Sequence, residues 1–145
     1  MAKRVNIEDL AGNGLRVGTP HITVRYGIDT TDTELIKSKV KHMFPFYISF
    51  GKTKSFPPSI YSDEVSPLIV SVHSPQLVAL NETIDSSLPV IPANFPYVPH
   101  MTLAYIDTNQ ISKYLDMDLM QGLEFIAKEL TIVHQDESEK TISFV

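Results

Sequence analysis

The feature of this sequence that most constrains its fold is a heptapeptide pattern that occurs twice. Residues 20–26 read Pro-His-Ile-Thr-Val-Arg-Tyr and residues 99–105 read Pro-His-Met-Thr-Leu-Ala-Tyr, so Pro, His, Thr and Tyr recur at identical offsets. Both copies alternate apolar side chains with more polar or smaller ones, which is the period of a β-strand with one buried face. The sequence therefore predicts two similar strands.

The strand period also assigns the polar side chains of each copy to one face. His21 and Thr23 share a face in the first copy, and His100 and Thr102 share a face in the second. A lone His-x-Thr on a strand is usually a structural histidine whose ring nitrogen bonds a backbone carbonyl, but the duplication favours a functional pair. The leading proline of each copy suits a strand start, where no ladder donor is needed.

Length and composition limit the classes of function that the chain can have. At 145 residues and 43% hydrophobic content, we expect residues 1–145 to form a single domain with an irregular arm at 1–19. No run of 18 apolar residues and no signal peptide is present, which predicts a cytoplasmic protein without a membrane partner. Cysteine is absent, which fits a reducing compartment. A net charge of −5 argues against binding of long duplex nucleic acid, while a small anionic ligand remains compatible.

Periodicity along the chain predicts a mixture of helices and strands. Thr31 and Glu34 have the spacing of a capping box, and Ser74-Pro75 is a typical helix start. The predicted elements are strands at 20–27, 46–51, 68–72 and 100–106, helices at 32–43 and 75–87, a proline-rich loop at 88–99, and a hairpin from 130–134 and 140–145. A two-lobed α+β fold follows, since no glycine-rich turn of a doubly wound fold occurs.

A pair of imidazoles, each beside a hydroxyl, suits the cleavage of a phosphodiester. One oxygen must lose a proton and another must gain one, and two histidines can divide these tasks because histidine changes charge near neutral pH. Hydroxyls of Thr23 and Thr102 can donate to non-bridging phosphate oxygens. A zinc site at His21 and His100 would need a third ligand, and no recognisable ligand spacing is present, so we expect no metal and no cofactor.

Four further residues are candidates for substrate binding. Arg25 falls on the same predicted face as His21 and could contact phosphate. Tyr26 and Tyr105 fall on the opposite faces if the strands are regular, which favours core packing, with base stacking as the alternative. Lys52 could also contact phosphate, although most lysines are simply exposed.

The two His-x-Thr motifs, 79 residues apart, resemble those of the two-histidine (2H) phosphoesterase superfamily, which includes RNA 2′,5′-ligase-like proteins and cyclic nucleotide phosphodiesterases. The resemblance implies two pseudo-symmetric lobes with antiparallel sheets around a central cleft and one motif in each lobe. It also implies that His21 and His100 are the general acid and base, and that Thr23 and Thr102 hold the phosphate. Which histidine is the acid stays open.

Several shorter segments resemble a phage-associated branch of this superfamily. They are Asp9-Leu10-Ala11-Gly12, Tyr26-Gly27, Gly51-Lys52-Thr53, Ser74-Pro75 with Leu80-Asn81, and Tyr97-Val98-Pro99-His100. This resemblance implies hydrolysis of the cyclic oligonucleotide signals of bacterial antiviral immunity, an anti-CBASS type of immune evasion in the host cytoplasm. The alternatives are a 2′,3′-cyclic or 2′,5′ phosphodiesterase in RNA processing, and a module that binds a small nucleotide without turnover. No protein partner is indicated.

Overall fold

The computed structural model of the chain describes residues 20–56 and 64–144. Its elements, in chain order, are α1 (Thr33–Val40), β1 (Phe46–Ser55), β2 (Val65–His73), α2 (Pro75–Ser87), β3 (His100–Asp107), a 3₁₀ helix (Thr108–Tyr114), β4 (Glu124–Ala127), β5 (Glu129–Val133) and β6 (Glu139–Ser143). The arm predicted at 1–19 lies outside the described residues. The predicted terminal hairpin is present as β5 and β6.

Four of the strands form one sheet in the order β3-β2-β1-β4, and β5 pairs with β6 in a separate two-stranded sheet. The β1–β2, β2–β3 and β5–β6 pairs are antiparallel. Helices and antiparallel strands thus combine in an α+β fold, which confirms the predicted fold class. Among the helices that the structure describes, none is long and apolar enough to cross a membrane.

The chain divides into two compact units. Within the described residues, the first unit contains residues 20–23, Ser49–His73 and Pro99–Leu123. The second unit contains Val24–Ile48, Ser74–Val98 and the chain from Glu124 onward. Both His-x-Thr motifs therefore belong to the first unit, which differs from the expectation of one motif in each lobe. That residues 1–145 act as a single domain stays a prediction.

The first unit is built on the buried face of β2 and β3. Apolar alternation along these strands directs one set of side chains to this face, as expected for a half-buried sheet. Its core cluster comprises Leu68, Ala104, Ile106 and Tyr114, with Ile111 and Met117 packed against it. The 3₁₀ helix thus covers this face of the sheet and leaves the other face to the motif side chains.

The helices of the second unit begin at side chains that cap them. In α2 the Ser74 hydroxyl accepts a hydrogen bond from the Leu77 N–H at 3.2 Å, with Pro75 in the first turn, as predicted. In α1 the cap is Asp32, whose carboxylate accepts from the Leu35 N–H at 3.0 Å. The predicted capping box from Thr31 was wrong by one residue, because a carboxylate at the next position reaches the same kind of donor.

The predicted strand at 20–27 is not continuous. Among the described residues, this part of the chain forms two isolated antiparallel bridges, Ile22 with Met101 and Ile28 with Val90. Gly27 lies between them with a φ of 79°, a conformation that favours glycine and ends a regular strand. The apolar alternation of the heptapeptide is therefore correct for its His-x-Thr part and misleading beyond it.

Candidate active site

The two His-x-Thr motifs meet through their central residues. Ile22 and Met101 form an antiparallel bridge, and both side chains are at least partly buried. Successive side chains of extended backbone point to opposite faces, so the flanking residues of both motifs share the other face. We call this face of the first unit the histidine face. It is formed by His21, Thr23, His100 and Thr102, together with the residues that continue it across β2 and β1.

The register of this bridge crosses the two motifs. Because the strands run antiparallel about Ile22 and Met101, His21 lies opposite Thr102, and Thr23 lies opposite His100. The two histidines are then diagonal neighbours, a relation that typically separates residues by about 7 Å. Such a gap accommodates a phosphate group, with an imidazole on either side and a threonine hydroxyl opposite each imidazole.

The neighbouring strands extend the histidine face. On β2, Ser71 pairs with His100, and Ile69 pairs with Thr102. On β1, a Cβ added at Gly51 would lie 3.3 Å from the Cβ of Ser71, so Gly51 is the next residue along this row. The row therefore runs across four chain segments from Thr23 to Gly51.

An aromatic ring contacts one of the two histidines. The ring of Phe56 packs edge-on against the His100 imidazole, with 4.8 Å between the ring centroids and 86° between the ring planes. His100 is half-buried, whereas His21 is exposed. Phe56 was not among the predicted site residues, because nothing in the local sequence pattern indicates which side chain it contacts. This contact restricts the orientation of the His100 ring.

The two tyrosines do not pack in the core, so that prediction was wrong. Tyr26 is 87% exposed and Tyr105 is 40% exposed. For Tyr105 the reason is a register shift: Ile69 pairs with Thr102 but Leu68 pairs with Ala104, which leaves Leu103 as an extra residue. The extra residue reverses the alternation, so Ala104 is buried and Tyr105 points to the side of the histidine face. That Tyr26 and Tyr105 bind substrate stays a prediction.

A second register shift orients Lys52. Phe50 pairs with Val72 and Thr53 pairs with Val70, so Gly51 and Lys52 together occupy the place opposite Ser71. Thr53 is fully buried, and the exposed Lys52 side chain beside it therefore points to the opposite side, which is the histidine face. A regular strand would have placed Lys52 on the buried side. Its contact with phosphate remains a prediction.

Arg25 belongs to the second unit and is engaged within it. Its guanidinium forms an ion pair with Asp85 at 2.9 Å and donates to the carbonyls of Ile91, at 2.7 Å, and Tyr26. The Arg25 side chain is only 7% exposed. These contacts favour a structural role in joining the chain around Gly27 to α2 and to the proline-rich loop. The predicted phosphate contact of Arg25 stays untested.

The histidine face can carry out acid and base chemistry with its own side chains. Histidine accepts or donates a proton near neutral pH, and a threonine hydroxyl donates a hydrogen bond to an anionic oxygen. Within residues 20–56 and 64–144, no group of three or more His, Asp or Glu side chains is placed to hold a metal ion. The structure thus brings together the two histidines and two threonines that the sequence resemblance implies as the site of a two-histidine phosphoesterase.

Comparison with known proteins assigns the chain to a family. The model of the 2′-5′ RNA ligase superfamily matches residues 6–139. The chain therefore belongs to the 2′-5′ RNA ligase superfamily, the 2H phosphoesterases, as the paired motifs predicted. Membership implies chemistry at phosphate esters, and it is consistent with a phosphodiesterase. Comparison with curated proteins gave no match.

Solved structures of Usb1 share the fold of this chain. Usb1 of Kluyveromyces marxianus is similar over 86% of this chain and 74% of its own, with a TM-score of 0.63 and 10% identity. Usb1 of the same organism with uridine monophosphate is similar over 94% of this chain and 79% of its own, with a TM-score of 0.65 and 12% identity. At this level of identity the likeness concerns the fold alone.

Proposed function

We propose that this protein is a metal-independent phosphodiesterase that hydrolyses small nucleotides, with cyclic oligonucleotides as its substrates. The proposal rests on one observation above the others, the antiparallel bridge between Ile22 and Met101. That bridge puts two histidines and two threonines on one face in a crossed arrangement. A general acid, a general base and two hydroxyl donors are the groups that phosphodiester cleavage requires.

The proposed reaction proceeds through a cyclic phosphate. One histidine removes the proton of the ribose 2′-hydroxyl, whose oxygen then forms a bond to phosphorus. The bond from phosphorus to the leaving oxygen breaks, and the other histidine donates a proton to that oxygen. Water then opens the 2′,3′-cyclic phosphate with the two histidines in exchanged roles, so the enzyme returns to its starting protonation.

The threonines stabilise negative charge on the phosphate and do not transfer protons. Hydroxyls of Thr23 and Thr102 donate hydrogen bonds to the non-bridging oxygens, where negative charge is concentrated during the transfer. Because each threonine lies opposite the histidine of the other motif, both sides of the phosphate are provided with one donor and one imidazole. Fixed donors of this kind stabilise a transition state without reorganisation at the moment of reaction.

The choice of substrate follows from charge and from the resemblance of the sequence. The chain has a net charge of −5, which disfavours long nucleic acids held by many phosphate contacts. The segments that resemble a phage-associated branch point to the cyclic di- and trinucleotide signals of antiviral immunity. We therefore place the protein in phage evasion of that immunity, in the cytoplasm of the host.

A second candidate function is a 2′,3′-cyclic or 2′,5′ phosphodiesterase in RNA processing. It is favoured by the family model, which is that of 2′-5′ RNA ligases, and by the structural similarity to Usb1 with uridine monophosphate. Both functions use the same two histidines. A 2′,3′-cyclic phosphate would enter at the second, hydrolytic step, and a 2′,5′ linkage would be attacked by the neighbouring 3′-hydroxyl.

The test is to incubate the purified protein with EDTA and a panel of substrates, followed by chromatographic analysis of products. The panel contains cyclic di- and trinucleotides, 2′,5′-oligoadenylate and 2′,3′-cyclic mononucleotides. We expect cleavage of the cyclic oligonucleotides, and a loss of about 10²-fold or more in kcat for His21→Ala and for His100→Ala. His42→Ala, an exposed histidine of the second unit, is the matched control and should retain activity.

The outcomes separate the candidates. Cleavage confined to 2′,5′ or 2′,3′-cyclic linkages would transfer the assignment to RNA processing. Activity that survives in either histidine variant would contradict the paired mechanism. Binding of a cyclic oligonucleotide by the wild-type protein without any product would show a sequestering module instead of an enzyme.

A further inference from the structure

A third histidine lies on the histidine face. His73 ends β2, two residues after Ser71, and residues two apart on a strand point to the same side. Ser71 pairs with His100, so His73 is on the same side as the His-x-Thr pairs. His73 is exposed, and neither motif nor the proposed mechanism uses it.

The His73 ring is seated over a glycine. A Cβ placed on Gly51 would lie 2.8 Å from Nε2 of His73, closer than real side chains approach. The absence of a side chain at Gly51 therefore makes the room in which the imidazole lies, and Gly51 is also in contact distance of the Cβ of Ser71. Lys52, turned to the same side by the register shift in β1, is the next residue along the chain.

The three histidines follow a diagonal across three neighbouring chain segments. His21 lies opposite Thr102. His100 lies two residues before Thr102 on β3, opposite Ser71, and His73 lies two residues after Ser71 on β2, opposite Ser49. Two residues along a strand span about 7 Å, which is the scale of one nucleotide step. A phosphate held between His21 and His100 would thus have His73 and Lys52 on the side where the next nucleotide unit continues.

We infer that His73, Lys52 and the Ser71 hydroxyl form a second phosphate subsite, which binds a non-scissile phosphate of an oligonucleotide substrate. This inference rests on the proposed function, since it takes the scissile phosphate to lie between His21 and His100. An imidazole N–H, an ammonium and a hydroxyl are all donors to phosphate oxygen. The subsite makes the protein select substrates that contain at least two phosphodiesters over cyclic mononucleotides.

The selectivity ratio between two defined substrates tests this inference. The ratio is kcat/KM for cyclic di-adenosine monophosphate divided by kcat/KM for 2′,3′-cyclic adenosine monophosphate. For His73→Ala we expect this selectivity ratio to fall about tenfold, because one hydrogen bond from the imidazole to the second phosphate is lost. The fall should come from KM for the dinucleotide. His42→Ala is the matched control.

A second variant displaces the His73 ring without replacing His73 itself. Gly51→Ala puts a methyl group where the His73 ring now lies, and the ring, as the free end of a side chain, must swing away. We expect a fall in the ratio close to that of His73→Ala. In the His73→Ala background the same glycine change should have little further effect, because the ring that it displaces is gone. Circular dichroism and urea unfolding of each variant establish that it is folded.

The binding constants of the two ligands complete the test. Titration of His100→Ala, alone and combined with His73→Ala, gives the ratio of Kd values without turnover. The subsite would be overturned if His73→Ala left both ratios, of kcat/KM and of Kd, within twofold of their values with His73 present. This holds even if the enzyme cleaves the dinucleotide normally. Absence of turnover with a Kd ratio that still depends on His73 would instead reject the enzyme and retain the subsite. Failure of cyclic di-adenosine monophosphate to bind would reject the subsite.

Discussion

Replacing Thr53 with valine tests how β1, which continues the histidine face, is anchored to the chain segment after the 3₁₀ helix. Thr53 is 1% exposed, and its hydroxyl donates to the Tyr114 carbonyl at 2.5 Å and accepts from the Met117 N–H at 2.7 Å. Valine keeps the shape and the strand preference of threonine, so the change removes these two bonds and little else. It leaves a carbonyl and an N–H without that partner, and each such group costs about 1–3 kcal/mol.

We therefore expect Thr53→Val to lower the free energy of unfolding by about 2–6 kcal/mol, the sum for the two groups. The backbone bonds between Thr53 and residues 116 and 117 remain, at 3.0 Å each, so the chain stays folded. Urea unfolding followed by circular dichroism measures the change, provided that the slope with denaturant is the same as in the wild type.

Thr53→Ser is the matched control, because it keeps the hydroxyl and removes the methyl group. It should cost about 1 kcal/mol, the usual effect of one buried methyl group. If valine were no more destabilising than serine, the hydroxyl would not be what anchors this segment, and the argument from the two hydrogen bonds would be refuted.

Two further predictions concern one aromatic side chain in each unit. Phe56→Leu should lower kcat about threefold to tenfold with a smaller change in KM, since it frees the His100 ring, while Phe56→Tyr should retain activity because it keeps the ring. An equal loss in both variants would contradict a positioning role. Burial raises the pKa of Tyr97 to about 12 from its ordinary value of 10.0. The unfolded chain then ionises at this residue first as pH rises through 10, so stability should fall less between pH 9 and 11 in Tyr97→Phe, as urea midpoints would show. Equal falls in variant and wild type would contradict it.

Much of the fold is predictable because binary patterning reports burial directly. Alternation predicted the buried side chains of Phe46, Ile48 and Phe50 on β1, and the start of α2 followed from Ser74 with its proline. The family assignment followed from the paired motifs. In each case a local rule of spacing or capping agrees with the tertiary structure.

The side-chain directions near the site were less accessible. Register shifts in β1 and β3 each insert one residue, and hydrophobic pattern alone does not show such an insertion. They turn Lys52 and Tyr105 to the histidine face, against the simple alternation. Phe56 and His73 were missed as neighbours of the motifs for a related reason: their proximity depends on pairing between distant segments, and on the missing side chain at Gly51.

The duplication of the heptapeptide has a consequence for the division of labour between the histidines. Two equal motifs paired antiparallel about their central residues are related by a local two-fold axis, so sequence alone gives His21 and His100 the same environment. The structure breaks that equivalence, because His100 is half-buried against Phe56 whereas His21 is exposed. The assignment of acid and base must therefore arise from the neighbours of the motifs. Hence Phe56→Leu should lower kcat more when it is combined with an intact His100 than in the His100→Ala background, where the ring that Phe56 holds is gone.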